Sequence, residues 1–469
     1  MFADLDRIHQ GSMAVLKTTG IRLCHQEILD LVKKNGIKVS GEIAFFKEDQ
    51  LMHWVHKAPR SFKLYGRNPK YDMVLGGKCR EYAPGYGAPK VSDYNGLKRA
   101  ALFKDYIDFV KLVHQCPYFN INGGILVQPS DLDPQKSFSL MLYAALIFSD
   151  KCLIGGAGGE EEGKTVMGML EIVFGGEELL ARPRIIGLIS TTSPLQISKK
   201  SLETMLAYAQ YGQPLIISPG PIAGVTGPVT LAGHLVLANA EALAGIAVTQ
   251  MIREGTPVVY GIQGSNGDMR ICYPAAGSPD SALIVAYCAR LAKNYGLPSR
   301  SGGIKNDAKS VDVQSGYESM MMMMVSCQEG INLILHSAGI LDTFMAMSFE
   351  KFIVDLEIIG MVKHFLGDIS FDEKRLGVDV IKKVGPGGDF LTQDHTLEFL
   401  HEEHWPAEIS LHGVSAPGEK PREELKEKIL NKKQKMLDAY QQPDLPSSIK
   451  TKLDNYLSGL GIYPREIIR

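Results

Sequence analysis

Residues 185–218 read IIGLISTTSPLQISKKSLETMLAYAQYGQPLIIS, and the fold class follows from the pattern in this segment. Two short apolar runs, Ile185–Ser190 and Leu215–Ser218, flank residues 200–211, where apolar side chains recur at helical spacing. Each run is of strand length, and the connection between them is long enough for a crossover helix. The segment therefore predicts two neighbouring parallel strands of an α/β fold.

The same alternation of strand and helix continues on both sides of this segment. Five further apolar strand candidates cover residues 119–127, 152–156, 258–262, 298–303 and 331–338, and helix-like stretches separate them. Seven strands are evident and an eighth is expected, which favours a (β/α)8 TIM barrel over an open doubly wound sheet. We predict an N-terminal helical and β-hairpin extension at 1–95, the barrel at 96–370, and a helical segment packed on the barrel at 371–469.

The composition is that of a folded protein with no electrostatic preference for polyanions. Hydrophobic residues make up 45% and charged residues 22% of the 469 residues, and the formal net charge is −2. This balance gives no reason to expect a nucleic acid or an anionic membrane as partner. The seven cysteines are scattered without a CxxC pair, and the start MFADLDRIHQ lacks the pattern of a signal peptide. We therefore predict a cytoplasmic protein with reduced thiols.

In a barrel of this kind, function gathers where the strands end at their C-terminal side. Polar residues follow the strand candidates at this end, and their recurrence favours a functional role over separate caps and turns. No P-loop, HExxH pair or GxSxG elbow is present, and the GGAGGEEEG stretch after Ile154 does not have dinucleotide-loop spacing. The polar candidates are Asn122, Ser190, Thr191, Gln263, Asp268, Lys305, Asp307 and His336.

Several motifs, in chain order along nearly the whole sequence, resemble the trimethylamine methyltransferase superfamily. The resemblance implies a (β/α)8 barrel, and because the chain contains no pyrrolysine it is similar to the branch that acts on quaternary amines. The chain departs from the family pattern at Asp389, where His is usual, and at GYGAPK, residues 85–90. The motifs are LAG at 231–233, NAE at 239–241, PVVYG at 257–261, DMR at 268–270, DAK at 307–309, DVQ at 312–314, GYE at 316–318, His336 with AG at 338–339, SFEK at 348–351, VGPGG at 384–388 and HTLE at 395–398.

The resemblance implies transfer of a methyl group from a quaternary amine to Co(I) of a corrinoid. Glycine betaine is the favoured donor, giving dimethylglycine, and the corrinoid is carried by a partner protein or supplied free. The chain has no DxHxxG corrinoid signature and is expected to bind no metal. Direct displacement at a methyl carbon of a quaternary amine needs no proton transfer, so no acid/base residue is expected, only positioning. The family context also favours a homo-oligomer.

For such a substrate, aromatic rings would hold the cation and polar groups would hold the carboxylate. The aromatic candidates are Tyr86, Phe119, Tyr260, Phe344 and Trp405, with Tyr82 also considered. His336 is the first candidate for the carboxylate, with Gln263, Arg270 and Lys305 behind it. Residues expected to face the corrinoid are Asn122, Ser190, Thr191, Asp268, Lys305 and Asp307.

Three alternatives stay open at the level of the sequence. The same chemistry could act on proline betaine, carnitine or γ-butyrobetaine. A barrel lyase or hydrolase would need an acid and a base, for which Asp268 with Lys309 is the best pair. A non-catalytic quaternary-amine binding protein of the extracytoplasmic kind would need a signal sequence.

Overall fold

Eight short parallel strands close into a barrel. The computed structural model describes residues 2–271, 273–414, 418 and 420–464. Backbone pairing links neighbouring strands around the ring, and the last strand pairs with the first through Leu333 and Glu81. The barrel strands are β1 (Glu81–Tyr82), β2 (Ile121–Gly123), β3 (Cys152–Ile154), β4 (Ile185–Ser190), β5 (Leu215–Ser218), β6 (Val258–Tyr260), β7 (Arg300–Ser301) and β8 (Leu333–Ile334).

The predicted fold class is confirmed, and the eighth strand is β1. It lies in the part of the chain predicted as an N-terminal extension, so a barrel boundary at residue 95 falls after the first barrel strand. The strand β1 has only two residues, within a Gly- and Tyr-rich stretch. It is too short to show the alternation of apolar and polar residues by which a strand is predicted from sequence. The candidates 119–127 and 298–303 are too long because glycines with left-handed φ, such as Gly123 at +81° and Gly302 at +69°, end β2 and β7.

One of the helices α4, α5, α6, α8, α9, α10, α11 and α12 follows each barrel strand in turn. The helices are α1 (Phe2–Thr18), α2 (Gln26–Lys34), α3 (Glu48–Val55), α4 (Phe103–Gln115), α5 (Ser137–Phe148), α6 (Glu160–Phe174), α7 (Gly176–Ala181), α8 (Lys199–Gln210), α9 (Leu231–Ile252), α10 (Pro279–Tyr295), α11 (Val313–Gln328), α12 (Phe349–Phe365), α13 (Glu373–Leu376), α14 (Val378–Val384), α15 (Asp394–Glu403), α16 (Pro421–Asp438) and α17 (Ser447–Gly459). Shorter strands outside the barrel cover Ile21–Leu23, Lys38–Ser40, Ile43–Phe45, Ser61–Leu64, Met73–Gly76, Lys90–Ser92, Lys98–Ala100, Gln196–Ile197, Ile222–Ala223, Ser265–Asp268, Tyr273–Ala275, Ile340–Leu341 and Ala346–Met347.

Successive strand residues point to opposite sides of the barrel wall, which divides the core into two layers. The inner layer contains Ile121, Ile154, Ile186, Ile216 and Val259, all buried in one cluster. Residues at the alternate positions pack outward against the ring of helices in a second and larger cluster.

An antiparallel hairpin fills the N-terminal end of the barrel. Its strands, Ser61–Leu64 and Met73–Gly76, contribute Leu64, Met73 and Leu75 to the inner cluster. The Arg184 side chain, immediately before β4, donates to the Gly66 carbonyl at 2.8 Å and fixes the hairpin to this end. The C-terminal ends of the eight strands, termed here the barrel mouth, are therefore the end left for a ligand.

The N-terminal helices pack on α9, the longest helix of the described residues. α9 is apolar and long enough to cross a membrane by composition, but 89% of its most apolar window is buried inside the protein. Its contacts with α1, α2, α3 and β6 explain this composition, because α9 is covered on all of these sides. At the other end of the chain, α16 packs on α4 and α12, and α17 packs on α6.

Candidate active site at the barrel mouth

Arg300 places a guanidinium inside the barrel. It pairs in register with Leu333, an inner-layer residue, and its side chain is 1% exposed. One terminal nitrogen, Nη1, donates to Ser218 Oγ at the end of β5 (3.0 Å), and Nη2 donates to His336 Nε2 (3.3 Å). Burial lowers the pKa of Arg300 to about 10, so the group stays charged at neutral pH. Its Nε has no partner among the described residues.

His336 presents an unused hydrogen-bond donor beside this arginine. Burial, reinforced by the nearby charges of Arg300 and Lys305, holds the pKa of His336 well below its usual value. The imidazole is therefore neutral, and since Nε2 accepts from Arg300 its proton is assigned to Nδ1. The buried Nδ1 has no partner within the described chain. A left-handed backbone conformation, with φ of +61°, sets the direction of this side chain after β8.

Lys305 adds a second buried cation, also 1% exposed. Burial, together with repulsion from Arg300, lowers the pKa of Lys305 to about 7. In the part of the chain that the structure describes, no carboxylate contributes to the pKa of either Arg300 or Lys305. Burying two like charges without a counter-ion is unfavourable unless an anion joins them. The mouth is thus electrostatically suited to a negatively charged ligand group.

Further polar groups at the mouth also lack protein partners. Both amide atoms of Gln263, which follows β6, are buried without a hydrogen bond among the described residues. The same holds for both ring nitrogens of His234 and for Asn306 Oδ1. The His234 ring packs against Gly264, and burial, with the charge of Lys305, lowers its pKa to about 4. A ligand is the simplest partner for so many orphaned groups in one region.

Two of the predicted aromatic residues reach the mouth. Tyr86, which follows β1, packs its ring against Gly124 and donates its hydroxyl to the Gly155 carbonyl at 3.2 Å. The Phe344 ring lies 4.8 Å from the His336 ring. These residues give the polar site apolar walls.

The family model for trimethylamine methyltransferase (MTTB) matches residues 3–459 of this chain. The chain belongs to this family. It is 39% identical over 458 residues to a glycine betaine methyltransferase of Desulfitobacterium hafniense, a match that covers 97% of this chain and 96% of that relative. A trimethylamine methyltransferase MttB of the same species is 33% identical over 85% of this chain and 80% of its own length. A proline betaine:corrinoid methyltransferase of Eubacterium limosum is 28% identical over 97% of this chain and 96% of its own length.

The fold comparison agrees with the assignment of this methyltransferase to a barrel architecture. The crystal structure of the Methanosarcina barkeri monomethylamine methyltransferase superposes with a TM-score of 0.52 at 11% identity, covering 94% of each chain. At this identity the likeness establishes the fold alone.

Tyr260 and Phe119 are not at the mouth of the methyltransferase. Strand alternation turns Tyr260 outward from β6, whereas Phe119 precedes β2 at the closed end of the barrel; both belong to the outer core layer. Tyr260 donates its hydroxyl to Asn239 Oδ1 on α9 at 2.7 Å, and Phe119 packs on Phe352 of α12 with ring centroids 5.9 Å apart. Their predicted cage role does not fit these positions, because Tyr260 faces the helix layer and Phe119 lies at the end opposite the mouth.

Trp405 and Tyr82 are also placed away from the mouth. Trp405 lies against Gly360, near the end of α12. Tyr82 is buried, with its hydroxyl 3.6 Å from Cys327 Sγ on α11. Neither residue fits a role in a cation cage, and the candidate site keeps only Tyr86 and Phe344 of the predicted aromatics.

Two residues predicted to face the corrinoid have side chains bonded within the protein. Asn122 donates to the Val110 carbonyl of α4 at 2.9 Å and is fully buried. Thr191 donates to the buried Glu241 carboxylate. Ser190 is exposed at the end of β4, where only its backbone carbonyl is engaged, by Ser201 Oγ at 3.0 Å, and its predicted role stays a prediction. These residues were predicted to face the corrinoid because they are polar and lie at strand ends. This pattern does not distinguish a side chain that bonds within the protein from one that binds a ligand.

Asp307 is likewise used by the scaffold. Its carboxylate accepts from the backbone of Ala276 and Gly277, both at 3.0 Å, and from Thr343 Oγ1 at 2.6 Å. These bonds join the loops after β6, β7 and β8.

The suggested acid and base do not pair with each other. Asp268 forms an ion pair with Arg270, which lowers the pKa of Asp268 to about 2, and Arg270 is exposed. Lys309 pairs with Asp342. The arrangement that a lyase or hydrolase would require is not formed here.

Arg300 and His234 are the functional candidates that the sequence did not suggest. A charged residue within a barrel strand was the available signal for Arg300, since a fully apolar strand would not contain it. His234 lies in the apolar sequence of α9, where a buried histidine is usually a satisfied core residue. Only the lack of a partner for its two nitrogens distinguishes it.

Proposed function

We propose that this methyltransferase takes a methyl group from a quaternary amine that carries a carboxylate. Glycine betaine is favoured as the donor, giving dimethylglycine, and Co(I) of a corrinoid, on a partner protein or free, is the acceptor. The observation that carries the proposal is the buried pair of cations, Arg300 and Lys305, which no carboxylate among the described residues balances.

The carboxylate of a betaine would supply the missing partner. Arg300 Nε and His336 Nδ1 are buried donors without a partner in the described part of the chain, and Lys305 brings a second positive charge. Trimethylamine has no carboxylate and at neutral pH is a protonated cation, so the same groups would disfavour it. The identity of 39% to a glycine betaine methyltransferase supports the same choice.

The chemistry asks the protein to bind, orient and exclude water. The corrinoid, when bound, would supply the nucleophile at the mouth, where unpaired polar groups and aromatic walls fit a small zwitterion with one end exposed to an acceptor. Direct displacement at carbon releases a tertiary amine with its lone pair, so no side chain has to move a proton. This fits a site in which His336 is held neutral and the Asp268 and Lys309 charges are engaged elsewhere.

Proline betaine, carnitine and γ-butyrobetaine share the carboxylate and the quaternary nitrogen. They differ in the distance between the two charges, so a site with fixed Arg300 and Lys305 would rank them by length. Proline betaine keeps the spacing of glycine betaine and is the second candidate, supported by the relative from Eubacterium limosum. We infer a cytoplasmic enzyme, in keeping with a reduced corrinoid as acceptor.

The test is a methyl-transfer assay with the purified full chain and cob(I)alamin. With glycine betaine as donor, we expect the Co(I) absorbance to decrease and dimethylglycine to form. The dimethylglycine would be detected by NMR. Trimethylamine and choline, which lack the carboxylate, should give much slower methylation. Equal rates with all three donors, or no methyl-cobalt with any betaine, would overturn the proposal.

A further inference from the structure

Three consecutive glutamates begin α6, and their side chains have different surroundings. Glu160 and Glu161 are exposed and pair with Lys164 at 2.6 and 3.3 Å. Glu162 is half-buried and turns back toward the loop after β3, where its Oε1 accepts from the backbone N–H of Gly158 at 2.7 Å. The surface pairs need no further explanation, whereas Glu162 forms no ion pair among the described residues.

The glycine loop after β3 is shaped around this carboxylate. A Cβ at Gly158 would lie 2.0 Å from the Glu162 carboxylate, and one at Gly156 would lie 2.5 Å from Oε1 and 2.9 Å from the Phe138 ring. Any side chain at these positions would displace the carboxylate. The glycines of the GGAGGEEEG stretch therefore leave room for Glu162 next to an aromatic ring.

Tyr86 connects this carboxylate with the cationic side of the mouth. It lies within electrostatic range of both Glu162 and Arg300, and its hydroxyl bonds to Gly155 of the same glycine loop. Beyond it, Arg300 and His336 are at least nine-tenths buried, and each keeps one nitrogen that no described residue pairs. The mouth thus has a negative side at the loop after β3 and a positive side at β7 and β8.

We propose that Glu162 and the Tyr86 ring form the subsite for the quaternary ammonium group. The carboxylate of the substrate then points toward Arg300, Lys305 and His336, which fixes the orientation of a zwitterion across the mouth. This inference rests on the proposed function, since it names the residue that selects the cationic half of the substrate. A carboxylate and an aromatic face together attract a cation that cannot donate hydrogen bonds.

The experiment compares three ligands by calorimetry with the full chain. Glycine betaine has both charges, 3,3-dimethylbutanoate has the same shape with a neutral carbon in place of nitrogen, and tetramethylammonium has the cation alone. In Glu162→Gln, we expect binding of glycine betaine and tetramethylammonium to weaken about tenfold or more, equivalent to about 1.4 kcal/mol. Binding of 3,3-dimethylbutanoate should stay the same or become tighter, because this ligand has no positive charge for Glu162 to attract.

Matched variants separate this role from a general effect on the fold. Glu161→Gln removes a neighbouring charge that is paired at the surface and should alter none of the three affinities. Arg300→Gln should weaken glycine betaine and 3,3-dimethylbutanoate but not tetramethylammonium. Equal weakening of all three ligands in Glu162→Gln, or no change in any, would overturn the subsite. If betaine were not the methyl donor, tetramethylammonium would still report on Glu162.

Discussion

His336 combines a proposed substrate contact with an unusual backbone conformation. Its left-handed φ of +61° is one that asparagine also adopts with little strain, so His336→Asn is the gentlest way to remove the imidazole. We expect the KM for glycine betaine to rise about tenfold, the effect of losing one hydrogen bond to a charged group. The kcat should change less, since a carboxylate contact is present in both the ground and transition states. Steady-state kinetics with cob(I)alamin would measure both constants. An unchanged KM would show that His336 does not contact the substrate.

The lowered pKa of Lys305 makes both the stability of the fold and the binding of a carboxylate depend on pH. Its pKa of about 7 lies below the ordinary 10.5, so the unfolded chain binds the proton more strongly. The ligand-free fold therefore gains stability as the pH rises from about 7 to about 10. Binding of a carboxylate has the opposite trend, because it favours the charged lysine that predominates below about pH 7.

We therefore expect the affinity for glycine betaine to fall as the pH rises through about 7 and upward. Calorimetric titrations between about pH 6 and about pH 9 would show it, with proton uptake on binding at the higher values. In Lys305→Met the affinity should be lower and nearly constant over this range. A persistent fall in the methionine variant would assign the titration to another group.

Helix α12 is tied to the loop that carries His336 by a buried ion pair. Lys351 and Asp355 contact each other one turn apart, and both are fully buried. Asp355 also accepts from the Gly339 N–H at 2.7 Å, and Lys351 donates to Ser319 Oγ on α11 at 3.0 Å. Burial raises the pKa of Asp355 to about 6, with the lysine opposing the rise. The pair thus joins two helices and the backbone three residues after His336.

Removing one partner of this pair should destabilise the fold more than removing both. We expect Asp355→Leu to lose about 3–5 kcal/mol of unfolding free energy, because it leaves Lys351 charged and buried. Combining it with Lys351→Met should recover a large part of the loss. Urea unfolding followed by circular dichroism would compare the three proteins. A double variant less stable than the single one would contradict the expectation that an unpaired Lys351 is what destabilises Asp355→Leu.

The sequence predicted the regular elements better than the faces that their residues occupy. The bounds of β4 and β5 agree with the prediction because uninterrupted apolar runs define them, whereas β1 is too short to produce a pattern. Lys305, His336, Gln263, Tyr86 and Phe344 lie after the C-terminal ends of barrel strands, and their binding roles stay predictions. Tyr260 was expected in the cage and faces outward, since the register that decides the face is a property of the closed barrel. Phe119 was also expected there, but it precedes β2 at the end opposite the mouth.

On the scale of the molecule, the described residues from the end of α12 to the start of α16 expose several large apolar side chains. The helices around a barrel run antiparallel to its strands, so α12 ends at the closed end, opposite the mouth. Since this surface starts at the closed end, we expect a second copy of the chain to cover it. The exposed apolar side chains include Phe365, Ile369, Phe371, Ile381, Leu391 and Leu397.

We expect the enzyme to be a homo-oligomer that buries this surface. Leu391→Asp combined with Leu397→Asp should shift the mass measured by light scattering toward the monomer, because charge in an apolar interface opposes association. Val229→Asp, at an equally exposed position in the loop before α9, is the matched control and should leave the mass unchanged. A monomeric wild-type protein, or an unaltered oligomer in the double variant, would contradict this expectation.

The hairpin that carries Leu64, Met73 and Leu75 fills one end of the barrel, so in the described part of the chain the mouth is the route to the proposed site. In the proposed reaction, the methyl acceptor would occupy the mouth while the demethylated amine is still bound deeper in the barrel. The amine can depart only after the methylated acceptor has withdrawn, and a new betaine must enter before the next acceptor arrives. Turnover would therefore follow a compulsory order, in which accumulated dimethylglycine competes with betaine for the empty chamber.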